Sequence, residues 1–207
     1  ATVIQRFKDN NPGPLSDAEA GRLIREVMSA CLALEQPLKI AYLGPEGTFT
    51  QTAALKHFGH SVSTLPMGSI PDVFNAVESH NVDFGLVPVE NSTEGVISHT
   101  LDMFIKSGLK VCGEVEIRIH HVLVSQNSDV AKIEHIYSHQ QSFAQCRLFL
   151  DQNFPGIPKI PVSSNAEAAR MASNEINAAA ICGASAAEIY ELNTCYENIE
   201  DLSDNTT

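Results

Sequence analysis

Apolar positions along the chain change their spacing once, and that change divides it. Between residues 17 and 35, Leu23, Ile24, Val27, Met28, Cys31 and Leu34 recur at steps of three and four. This predicts one helix of about five turns with a single apolar stripe. Ser16-Asp17-Ala18-Glu19 has the spacing of a capping box at its start, and Pro37 ends it. Before it, Ala1 to Lys8 has the character of a helix end, closed by the breaker Asn10-Asn11-Pro12-Gly13-Pro14. A stripe this wide with so little chain ahead of it calls for partners from elsewhere, such as another subunit.

From Leu38 onward the period changes to strand, polar turn, helix, repeated. Strands are predicted over 38–43, 61–65, 82–89, 133–137, 159–162 and 178–182. Helices are predicted over 51–58, 70–79, 100–107, 138–153, 166–174 and 186–192, with an extended region over 109–125. Such alternation implies an α/β fold with mainly parallel sheets and crossover helices. Two runs joined near 109–116 imply two lobes facing a cleft. The expected division is 38–112 with 193–207 in the first lobe and 113–192 in the second. The polar tail Asp201 to Thr207 stops without the strand that the alternation calls for, which we read as a truncation.

Composition narrows the classes. A chain of 207 residues with a formal net charge of −12 lacks the basic surface that nucleic acid or an anionic membrane requires. No apolar run is long enough for a membrane span and no export signal opens the chain, so a cytoplasmic protein is expected. Five scattered cysteines with no C-x-x-C pair read as reduced thiols. Eight histidines show no metal-ligand spacing, so no metal is expected.

The densest chemistry lies in Val87-Pro88-Val89-Glu90-Asn91-Ser92-Thr93-Glu94-Gly95, directly after an apolar strand. So many polar groups at a strand end point to the floor of a ligand cleft. Gly44-Pro45-Glu46-Gly47-Thr48-Phe49-Thr50 opens a helix, where Gly47 permits close approach and Thr48 offers a hydroxyl; a plain turn with Thr48 or Thr50 as cap fits equally. Ser138 and Gln145 lie seven residues apart, two turns along one face if the helix begins at once. They grip one ligand at two points, or Ser138 caps and Gln145 is solvated. Only one of His120 and His121 can face inward, and a structural role suits it. Cys146 has no evident base and reads as core.

These stretches, with Ser138-His139, Gln145-Cys146 and Asp204-Asn205-Thr206-Thr207, closely resemble the prephenate dehydratase family over residues 38–207. Residues 1–37 resemble the end of a chorismate mutase domain, which precedes the dehydratase in bifunctional bacterial proteins. The resemblance implies loss of water and CO2 from prephenate to give phenylpyruvate, a two-lobed fold like type II periplasmic binding proteins, a homodimer and no cofactor. Thr207 falls on the threonine of the family's Thr-Arg-Phe motif, which implies a proton-donating role; the chain stops before that arginine and before the regulatory ACT domain. Glu90 is a second candidate acid, because a carboxyl in a closed cleft can stay protonated. Asn91, Ser92, Ser138, Gln145, Thr48 and Gly47 are the candidate substrate contacts. Glu35 matches a mutase position near the ether oxygen, but the rest of that site is missing and no mutase activity is expected. The rival class is a non-catalytic anion-binding module of the same fold.

Overall fold

The computed structural model describes residues 2–93 and 95–207; Glu94, within the polar run, lies outside the described residues. Helices α1 (Thr2–Asp9) and α2 (Asp17–Glu35) pack on each other. Ser16 closes the predicted capping box with Glu19 in both directions. The stripe on α2 does not face the rest of the chain: Leu23, Val27 and Leu34 are exposed, Leu34 by 89%. The opposite face docks through polar groups instead. Glu26 accepts from the His60 backbone N–H at 3.0 Å and contacts its Nδ1 at 2.8 Å, and Ser29 accepts from the Ser61 N–H. Ser29 packs where a side chain on Gly59 would stand, 2.6 Å from an added Cβ.

The first lobe is a parallel three-stranded sheet, ordered β2-β1-β3, from β1 (Lys39–Leu43), β2 (Ser63–Met67) and β3 (Phe84–Leu86). Helices α3 (Phe49–Phe58) and α4 (Ile70–Glu78) cross over between them. Ile40, Ala41 and Tyr42 are buried, as a sheet covered by helices on both faces requires. A short hairpin, β4 (Glu90–Asn91) and β5 (Gly95–Val96), leads into α5 (Ser98–Lys106).

The second lobe holds β6 (Val122–Ser125), β7 (His135–His139), α6 (Gln140–Gln145), α7 (Arg147–Asn153), β8 (Lys159–Val162), α8 (Asn165–Ala172), β9 (Ala178–Cys182), α9 (Ala184–Ile189) and β10 (Asn193–Tyr196). Its five strands run β10-β6-β9-β7-β8, with β7 parallel to β8 and β9 and the β6 pairings antiparallel. All five residues of β9 are buried: Ala178, Ala180 and Cys182 cluster with Ala168, Ala169 and Ala172 of α8, and Ala179 and Ile181 cluster on the other face with Leu123, Phe143 and Leu150. Small side chains on both elements let helix and strand approach closely, so the alanine-rich stretch is packing. Two expectations need correction. The single helix predicted over 138–153 starts only at Gln140, because Ser138 and His139 finish β7 and so share no helical face with Gln145, and it breaks at Cys146, whose φ of −112° and ψ of 21° are non-helical. Residues 193–196, assigned to the first lobe from the alternation, form the edge of the second sheet, because their ladder partners are 123–125.

The lobes meet along two crossing passes and one helix contact. Residues 117–119 and 205–207 pair antiparallel: the Ile117 N–H donates to the Thr207 carbonyl at 2.9 Å, and the Ile119 N–H to the Asn205 carbonyl at 2.8 Å. At the helix contact the Thr52 and Ser185 hydroxyls lie 2.9 Å apart. Gly47, at φ +85°, sits so close to Ala186 that a Cβ there would meet its Cα at 3.1 Å.

Candidate active site

Alternation in the returning tail puts Asn205 and Thr207 on one side, with Thr206 on the other. That side faces a cavity of about 140 Å³ between the lobes. The first turn of α3 supplies Phe49 and Thr50, and the end of the third strand region supplies Pro88 and Asn91. The second lobe contributes His121, Gln141, Ser142, Gln145 and Asn165, and Ile119 closes one wall. Among the described lining residues none is Lys, Arg, Asp or Glu. The walls are amides, hydroxyls, one imidazole and apolar carbon.

The amides are tied down by their oxygens. Asn165 Oδ1 accepts from the His139 N–H at 3.1 Å, from Ser138 Oγ at 3.1 Å and from Ser142 Oγ at 3.0 Å, and its Nδ2 contacts Ser142 Oγ at 2.8 Å. Asn205 Oδ1 accepts from Ser92 Oγ at 2.9 Å and Thr93 Oγ1 at 3.2 Å. Gln145 Oε1 lies 2.8 Å from His121 Nε2. Asn91 Oδ1 accepts from the Thr93 N–H at 2.9 Å. Thr207 Oγ1 donates to the Glu90 carbonyl at 2.8 Å.

Behind His121 stands a carboxylate–imidazole contact. Glu200 accepts from the His121 N–H at 2.9 Å and lies 2.6 Å from His120 Nδ1. Burial works to raise the Glu200 pKa, but the bonds from His121 and His120 outweigh it and hold the carboxyl below its ordinary value. His121 itself is 1% exposed. Burial pushes its pKa down, offset only in part by the Gln145 bond and the Glu200 charge, so the ring is held toward its neutral form.

The structure brings Asn91, Gln145 and Thr207 to one cavity and places the remaining candidates around it. Ser138 is corrected from a ligand contact to a support: it is fully buried and spends its hydroxyl on Asn165 and the Ile181 carbonyl. Ser92 likewise acts through Asn205. Thr48 donates to the Leu43 carbonyl and Gly47 packs against α9, leaving their neighbours Phe49 and Thr50 at the cavity. Glu90 is also corrected, because its side chain is exposed on the hairpin and its backbone carbonyl makes the useful contact. His121, Asn165 and Asn205 were not singled out from sequence for these roles. The two-residue step from Asn205 to Thr207 was the available signal for one of them.

A family profile described as prephenate dehydratase matches residues 40–207. The chain belongs to the prephenate dehydratase family. It is 54% identical over 208 residues to a protein of Pseudomonas aeruginosa named bifunctional chorismate mutase/prephenate dehydratase, covering all of this chain and 57% of that protein. The chain thus spans little more than half of that relative's length, and the match includes the helices ahead of the dehydratase region. Among solved structures, a prephenate dehydratase from Arthrobacter aurescens in complex with L-Phe superposes with a TM-score of 0.75 at 30% identity, covering 82% of this chain and 58% of that one. A structure described as GqqA, a novel type of quorum quenching acylase, superposes with a TM-score of 0.73 at 26% identity, over 81% of this chain and 61% of that one. The likeness to both means that the reaction has to be argued from the site rather than from the fold.

Proposed function

We propose that the cavity binds prephenate and catalyses its decarboxylating dehydration to phenylpyruvate, a carbon–oxygen lyase reaction. One observation carries the reading: the oxygens of Gln145 and Asn205 are engaged by protein groups, which leaves their amide N–H groups for the ligand. A wall of donors without side-chain carboxylates suits an acceptor-rich dianion. The first turn of α3 adds the positive end of a helix.

In the reaction the carboxylate carbon leaves as CO2, its bonding electrons enter the ring, and hydroxide leaves the far ring carbon with one added proton. Dianion plus proton gives monoanion, CO2 and water. Ring aromatisation supplies driving force, so the site has to orient the two leaving groups and protonate one. Thr207 is the proton donor in this reading. Its hydroxyl proton lies on the Glu90 carbonyl and transfers its bond to the departing oxygen, with replacement from solvent. A hydroxyl of ordinary acidity serves only if held in line, and the pairing of 205–207 with 117–119 provides that hold. The open stripe on α2 supports a homodimer, and the five unpaired cysteines suit a reducing cytoplasm.

Phenylpyruvate absorbance after addition of prephenate tests the reading. Thr207→Ala should lose about a hundredfold or more in kcat, the scale of general-acid catalysis, while Thr207→Ser retains most of it. Tight binding without product, or full turnover by Thr207→Ala, would refute it.

A further inference from the structure

Of the four oxygen-anchored amides, Gln145 has an anchor of a different kind. Asn91 and Asn165 each face a backbone N–H, which can only donate, and Asn205 faces two hydroxyls. Gln145 Oε1 faces an imidazole nitrogen, which donates in one tautomer and accepts in the other. The direction of the Gln145 amide therefore depends on where His121 keeps its proton. His121 Nδ1 is buried and has no hydrogen-bond partner among the described residues. A proton on Nδ1 would strand a buried donor and leave Nε2 as an acceptor. The amide would then have to reverse, giving its own N–H to His121 and presenting its carbonyl oxygen to an anionic ligand. With the proton on Nε2 the amide keeps its N–H toward the cavity, and Nδ1 is left as an unpartnered acceptor rather than an unpartnered donor. Phe49 lies edge-on to the ring, centroids 5.8 Å apart, and the Glu200 carboxylate fixes the backbone of the same residue. Both restrain the imidazole from turning over.

We propose that His121 is a positioning residue. As the neutral Nε2–H tautomer, it locks Gln145 with its amide N–H toward the cavity and so makes the site selective for a carboxylate-bearing ligand over a neutral one. Its ring transfers no proton in the reaction. This inference rests on the dehydratase reading for its substrate, but the tautomer can be tested without turnover. Long-range 1H–15N spectra of the full-length protein with 15N-labelled histidine should show one imidazole with Nε2 protonated and Nδ1 bare, lost in His121→Gln. In prephenate kinetics His121→Leu should raise KM roughly tenfold or more, the scale of one hydrogen bond to a charged group, with a smaller change in kcat. His121→Gln, whose amide N–H can replace Nε2–H, should restore KM to within a few-fold of the parent. A proton on Nδ1, or a parental KM in a folded His121→Leu protein, would overturn the proposal. An unmutated protein that shows the Nε2–H tautomer but does not turn over prephenate would instead overturn the dehydratase reading.

Discussion

Replacing Asn165 by Ala should reveal how much of the second lobe's contribution to the site hangs on one amide. The Asn165 side chain receives Ser138, the His139 N–H and Ser142, and also contacts Ser142 through Nδ2. Ser138 keeps the Ile181 carbonyl after the change, so its hydroxyl is not orphaned. Ser142 is buried and its hydroxyl has no other hydrogen-bond partner among the described residues, and the His139 N–H is partly buried. Each orphaned buried polar group costs about 1–3 kcal/mol, and the neighbouring cavity admits water that relieves part of it, so a loss of ~2–4 kcal/mol is expected. Urea denaturation should show a lower midpoint at an unchanged m-value. Ser142→Ala alone should cost about 1 kcal/mol, yet far less in the Asn165→Ala background, where its partner is already gone. Asn165→Asp keeps the acceptor and should be milder in stability, but its negative charge should raise KM for a dianion. Strictly additive losses in the double mutant, or a loss under about 0.5 kcal/mol for Asn165→Ala, would show that the amide does not organise this corner.

Other outcomes follow from the same structure. Gly47→Ala forces a left-handed backbone onto a residue with a Cβ and presses it to 3.1 Å from Ala186, so ~2 kcal/mol of stability should be lost. The lobes should also separate enough to weaken the Thr52–Ser185 contact, readable as faster amide exchange there. His121 has an ordinary pKa of 6.5 when unfolded and a lower one when folded, so between those values the unfolded chain binds more protons. Stability should therefore rise with pH through that window and level off above about 6.5; urea melts across it check the slope, which His121→Gln should flatten. Glu200, lowered from 4.5, adds a second rise of the same sign at more acid pH, and Glu200→Gln should remove it.

Local periodicity made most of the fold legible because each element announces itself within about ten residues. The capping box at Ser16 acts over three positions, and the structure has it. What periodicity cannot carry is register between distant segments. Whether 193–196 joins the first or the second sheet depends on ladder partners some seventy positions earlier, and no local pattern distinguishes the two. The candidate site divides along the same line. Asn91, Gln145 and Thr207 stand at the cavity because they lie at element ends, where polar density itself is the signal. Ser138 was legible as important but not as a support, because the choice between facing a ligand and facing Asn165 is decided by α8, a separate crossover helix. His121 shows the limit most clearly: alternation indicates that one histidine of the pair is buried, yet its consequence arises only when α6 brings Gln145 to within 2.8 Å of its ring. A buried histidine beside an amide fixes the direction of a dipole, and that direction exists only once two elements far apart in the chain have met.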